Sequence, residues 1–134
     1  MQACPSLAAP PDEPTLEKLI VIALILYCSA VFCKVRFSTR HSLSTSVAAT
    51  RELPKLAIPE AKEGRKALIW VFMVVIDSWR SRDGRLRLPG LDLLRLFKAR
   101  FPDMENWKDV VCVVQKFFWT EDMGRFVSQS WENA

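Results

Sequence analysis

The sequence predicts an all-α fold: a small antiparallel helical domain preceded by an N-terminal apolar helix and a flexible linker. Three observations carry that prediction. The 134 residues include four glycines against eight prolines, a balance that suits helices punctuated by proline better than a hairpin-rich β fold. Large apolar residues recur at helical spacing through the C-terminal half. Two uncharged runs, 19–33 and 67–76, are candidates for buried or membrane-facing helices. A chain of this length normally holds one domain.

Residues 1–15, MQACPSLAAPPDEPT, are rich in proline, alanine and small polar residues and read as a flexible arm. Thr15 is placed to cap a helix with Glu17 in its first turn. The apolar helix covers 16–37. Its central part, LIVIALILYCSAVFC, has no charge and no proline and lies between Lys18 and Lys34. Fifteen residues rise roughly 22 Å at about 1.5 Å each, whereas a bilayer core takes about 30 Å, or roughly 20 residues. Leu16, Val35 and Phe37 extend the apolar surface, and both lysines can snorkel.

Three readings of this helix stay open: inserted in or lying on a membrane, packed on the body of a soluble fold, or cleaved as a signal. Cys28 and Ala30 sit at small-residue cleavage spacing, but the preceding region is acidic, unlike a secretory signal. On the membrane reading the contact residues are Leu19, Ile22, Leu26, Phe32, Lys34 and Arg36. The positive charge after the helix then places the C-terminal domain in the cytosol.

Residues 38–54 read as a linker. STRHSLSTSVAAT is rich in serine and threonine, with phosphorylation potential, and in RELPKLAIP the two prolines, Pro54 and Pro59, exclude a continuous helix. The main boundary falls near residue 50, leaving 55–134 as a helical interaction domain. Pro59 suits a first helical turn and Glu60 its N-terminus. The helix then runs through EAKEGRKALIWVFMVVIDSWRS. From Ala67 to Ile76 it is apolar all round, which predicts the central buried element; its β-branched content leaves a strand reading open. RDGRLRLPG reads as a turn around Gly84 that ends at Pro89-Gly90.

LDLLRLFKARF, 91–101, places Leu93, Leu94, Phe97 and Phe101 on one stripe and Arg95, Lys98 and Arg100 on the other side, with Pro102 ending the helix. Asp103 is expected to cap MENWKDVVCVVQKFFW, where Trp107, Val110, Val111, Val114 and Phe118 repeat at helical spacing. Thr120 is expected to cap a last helix carrying Met123, Phe126, Val127 and Trp131. Four such helices make a compact antiparallel unit of about 75 residues, enough for a core.

Charge is segregated. Residues 1–18 carry −2, 34–66 carry +5, 77–102 carry +4 and 103–134 carry −3. A basic middle can meet an anionic membrane surface, nucleic acid or an acidic protein; the plain alternative is a solvated face. Cys4, Cys28, Cys33 and Cys112 show no CxxC spacing, and His41 is the only histidine. No metal site is expected, and the cysteines read as reduced thiols. His41 has no nucleophile motif beside it. Glu105, Asp109, Glu121 and Asp122 suit helix starts and polar faces, and no phosphate-binding glycine loop is present. No catalytic residue and no cofactor are therefore expected, and the chain reads as a non-enzyme.

Binding is the better expectation. Of five tryptophans, Trp70 and Trp107 fall on core stripes. Trp79, Trp119 and Trp131 fall near helix ends, where an indole can be half exposed. WRSRDGRLR, 79–87, joins Trp79 to Arg80, Arg82, Arg85 and Arg87. Tryptophan and arginine are the usual interface anchors, and guanidinium groups can grip phosphate or an acidic protein face. These residues, with Trp119 and Trp131, are the expected partner-binding set. Nucleic acid is the less expected partner, since no recognised fold motif supports it.

ALIWVFMVVIDSWRSRDGRLRL, followed by LDLLRLFKARFPDMENWKDVVCVVQKFFWTEDM, resembles the C-terminal half of paramyxovirus C accessory proteins. The shared order is an apolar helix containing Val71-Phe72-Met73, a basic turn, a leucine-rich helix ending near a proline, then MENWKDVVCVVQKFF and an acidic-methionine tail. The resemblance covers roughly residues 66–131 as a pattern of helices with scattered identities. The N-terminal half departs from it, being acidic and apolar where C proteins begin basic.

The resemblance implies a non-enzymatic viral accessory protein and virulence factor of the host cytoplasm, encoded in a frame overlapping the phosphoprotein gene. It implies binding to host signalling factors, hence interferon antagonism, and to the viral polymerase complex. The alternative is a single-pass membrane-anchored small subunit or viroporin-like protein that uses residues 19–33.

Overall fold

The computed structural model describes residues 15–32, 40–81, 85–132 and 134. The helices are α1 (Leu16–Phe32), α2 (Arg40–Glu52), α3 (Lys62–Asp77), α4 (Leu88–Arg100), α5 (Trp107–Val114) and α6 (Glu121–Trp131), with a short 3-10 turn at Leu53–Lys55 after α2. No strand occurs among the described residues, so the fold class is all-α as the glycine and proline balance predicts. The strand reading of 67–76 gives way to helix.

α3 is the axis. Every residue from Leu68 to Asp77 is buried, and α1, α2, α4, α5 and α6 all pack against it. A helix apolar on all sides needs neighbours on all sides, and that requirement orders the bundle. Each fully buried aliphatic or aromatic side chain contributes about 1.5–3 kcal/mol relative to exposure, so this run is the largest single source of stability. Phe72, Phe97 and Phe101 form an aromatic triangle between α3 and the end of α4, with ring centroids 5.6, 5.9 and 4.8 Å apart. Trp131 of α6 adds an edge 6.1 Å from Phe97.

α1 buries Leu19, Ala23 and Leu26, the i, i+4, i+7 stripe that faces α3 and the core. Among the described residues no helix is long and apolar enough to cross a membrane.

Several boundaries differ from the sequence expectation. Residues 40–52, within the segment read as linker, are helical. Their serines and threonines do not oppose this, because Ala49 and Ser46 are buried and two hydrogen bonds tie α2 to the C-terminal end of α3. Trp79 Nε1 donates to Thr50 Oγ1 at 2.8 Å, and Ser46 Oγ donates to Ser78 Oγ at 2.8 Å. α4 starts at Leu88, so Pro89-Gly90 lies in its first turn instead of ending the preceding loop. Proline costs nothing there, since first-turn N–H groups have no intrahelical acceptor. Gly90 is the residue that lets α4 approach: a Cβ at this position would lie 2.7 Å from Trp79 Cβ.

α5 is capped by Asn106, not Asp103. Asn106 Oδ1 accepts from Asp109 N while Asp109 Oδ2 accepts from Asn106 N, a reciprocal capping box. Asp103 instead pairs with Arg65 of α3. α5 ends at Val114, where backbone bonds tighten to i−3 partners at Lys116 and Phe117, so Phe118 leaves the stripe expected for it. Thr120 caps α6 as predicted, its Oγ1 accepting from Met123 N at 3.2 Å. The arm over 1–14, Cys4, Cys33 and Gly84 lie outside the described residues, as do the side chains of His41, Glu121 and Phe126.

Candidate functional site

The basic segment after α3 forms a tight return. Arg80 and Leu86 make an antiparallel bridge. Ser81 N donates to Arg85 O at 2.7 Å and Arg87 N donates to Trp79 O at 2.9 Å. The return brings some of the expected site residues to the surface and takes others inside.

Trp79 and Arg80 form its inner side, which corrects the expectation of an exposed anchor pair. Trp79 is only 7% exposed, closed off by Gly90 of α4 and held by Thr50 of α2. Arg80 is 5% exposed. Its guanidinium Nη2 donates to both carboxylate oxygens of Asp77, at 2.7 and 3.0 Å, and Nη1 reaches Asp122 Oδ2 of α6 at 3.0 Å. The physical reason is spacing. Asp77 sits three residues earlier on the same face, so the guanidinium is neutralised internally and joins α3 to the start of α6.

Arg85 and Arg87 form the outer side, both exposed, and Leu88 follows with 70% of its surface in solvent. Arg82 lies outside the described residues. Trp131 is buried, against expectation, with Lys98 Nζ 5.0 Å over its ring and donating to its carbonyl at 2.8 Å. Trp119 is half-buried beside Gly124.

A second surface, on α1, is built from residues other than those expected for membrane contact. The face of α1 that points away from α3 exposes Val21 (56%), Ile25 (51%) and Cys28. Phe118, in the loop between α5 and α6, is 61% exposed, and its ring lies 5.6 Å from that of Tyr27. Of the expected membrane-contact residues, Leu19 and Leu26 point into the core instead, because their stripe is the one that fits α3. Ile22 is half-buried, and the side chain of Phe32 and residues Lys34 and Arg36 are outside the described set. The signal that could have found the outer face is the absence of any polar stripe on α1: an all-round apolar helix that packs by one side must show the other.

Among the described residues no group of three His, Cys, Asp or Glu side chains is placed to hold a metal ion. Cys28 and Cys112 are exposed free thiols. A shallow groove on α2 is lined by Ser44, Val47, Ala48 and Arg51. The chain matches no protein-family model, no curated protein and no solved structure.

Proposed function

We propose that this protein is a non-enzymatic helical interaction module that acts by occupancy, contacting an acidic protein surface through Arg85, Arg87 and Leu88. One observation carries this reading. Two arginines and a large exposed leucine stand side by side on a backbone fixed by the Trp79, Ser81 and Leu91 hydrogen bonds. Fixed geometry lowers the ordering cost of binding, and arginine around an apolar contact is a common interface composition. Trp79 and Arg80 support the surface from beneath without meeting the partner.

The resemblance of residues 66–131 to paramyxovirus C proteins supports a narrower proposal: a viral accessory factor of the host cytoplasm whose partner is a host signalling protein or the viral polymerase complex. The antiparallel bundle is proposed as the scaffold common to both. The test is an interferon-responsive reporter in cells expressing the full chain. The wild type should lower the signal, and Arg85→Glu/Arg87→Glu/Leu88→Ala should restore it at equal protein level. A wild type without effect removes interferon antagonism; a triple variant as potent as wild type removes the site.

A further inference from the structure

We infer that the outer face of α1, together with Phe118, is a docking surface for an anionic membrane, on which α1 lies flat. This surface is separate from the arginine site and stands without it. Val21, Ile25 and Cys28 follow one another at i, i+4 and i+7 along the exposed side of α1. Leu24 and Tyr27, both half-buried, continue the apolar surface around the helix, and the Tyr27 ring carries it on to Phe118. Phe118 is held out, not left loose: its carbonyl accepts from Trp70 Nε1 at 2.8 Å, and the adjacent Phe117 ring stacks on Trp70 at 5.9 Å.

What covers this face follows from its chemistry. Between Lys18 and Ser29 the only side chains of α1 that can hydrogen-bond are Tyr27 and the weakly donating Cys28. A protein partner would be met by about one hydrogen bond per 100–200 Å², and between its lysine-bearing ends this face offers few such groups; hydrocarbon asks for none. A second copy is disfavoured by size. A stable dimer buries about 800 Å² per partner, and even a fully exposed aromatic side chain offers only about 150–250 Å², so Val21, Ile25 and Phe118 fall well short. A lying helix needs only a shallow insertion of roughly 5–10 Å.

Charge points the same way. Lys18 and Lys116 are exposed at the α1 start and in the Phe118 loop. Glu17 is the one acidic residue in α1 and sits in its first turn. Basic side chains near an anionic surface add about 1 kcal/mol each.

The experiment is co-sedimentation of the full chain with phosphatidylcholine vesicles, with and without phosphatidylserine. The wild type should pellet with the phosphatidylserine vesicles, more weakly with phosphatidylcholine alone, and less as salt rises. Ile25→Glu/Phe118→Glu should lower the partition coefficient by about tenfold or more, with the circular dichroism spectrum unchanged because both side chains already face solvent. The milder Phe118→Ala should lower it by a smaller factor. Arg85→Glu/Arg87→Glu should still bind, which separates this surface from the arginine site. A wild type that stays in the supernatant, or a double glutamate variant that pellets equally, overturns the inference. So does a vesicle-indifferent dimer that Ile25→Glu converts to monomer.

Discussion

The indole N–H of Trp70 donates to the main-chain carbonyl of Phe118, 48 residues later, at 2.8 Å. The bond ties the middle of α3 to the loop between α5 and α6, and it explains how a phenylalanine can be 61% exposed and still have a defined position. Trp70 itself is 3% exposed, so its polar edge has to be satisfied from within the protein.

Trp70→Phe keeps an aromatic ring in the core and deletes that donor. We expect a loss of about 1 kcal/mol, the net worth of a typical intramolecular hydrogen bond, since this one is part-buried. Urea unfolding should show a lower midpoint with an unchanged slope. Amide exchange in residues 115–120 should accelerate more than in α4.

The Arg80 ion pair predicts an asymmetry. Asp77 is 2% exposed and Asp122 57% exposed at the side chain. Asp77→Ala leaves a buried guanidinium with its main counter-charge removed and should cost about 3–5 kcal/mol. Asp122→Ala removes a solvated partner and should cost roughly 1 kcal/mol or less. Equal losses in thermal or urea unfolding would contradict the burial assigned to Asp77.

Gly90→Ala places a Cβ 2.7 Å from Trp79 Cβ and 3.3 Å from Ile76 O. Neither neighbour is the flexible end of a side chain, so α4 must shift away from α3. Overpacking of this kind costs about 1–3 kcal/mol, and the substitution should destabilise even though alanine is the better helix former.

Which parts of this arrangement can be read in the residues follows from where each signal lies. α3 is legible because ten successive apolar residues leave no solvent face. Thr120 is legible because a cap is a local event, decided within three residues of Met123. The α5 cap was legible too, in the Asn106–Asp109 spacing, but Asp103 competes for the role until its pairing with Arg65 is known. Trp79 was not legible: its position near a helix end suggested exposure, whereas its fate is set by Thr50, 29 residues before. Arg80 was legible in part, since its main partner Asp77 lies three residues before, while Asp122 lies 42 residues after. α2 was missed for a related reason: its serine- and threonine-rich sequence has weak intrinsic helicity, and docking of Ser46, Ala49 and Thr50 decides the outcome.

That dependence is itself testable. Trp79→Phe preserves most of the buried ring but removes the donor to Thr50 Oγ1. The expected global loss is small, about 1 kcal/mol. Hydrogen exchange in residues 44–52 should nevertheless rise more than that of α3, since this bond joins α2 to the residues that follow α3.

A bundle assembled around α3 is tested most directly by native-state hydrogen exchange of the unmodified chain, resolved by residue. Amides from Leu68 to Ile76 should be the slowest to exchange, opening only with global unfolding, with Leu19 to Leu26 of α1 protected next. Exchange from 68–76 as fast as from the loop at 115–120, or an α1 with no protection at all, would contradict the fold described.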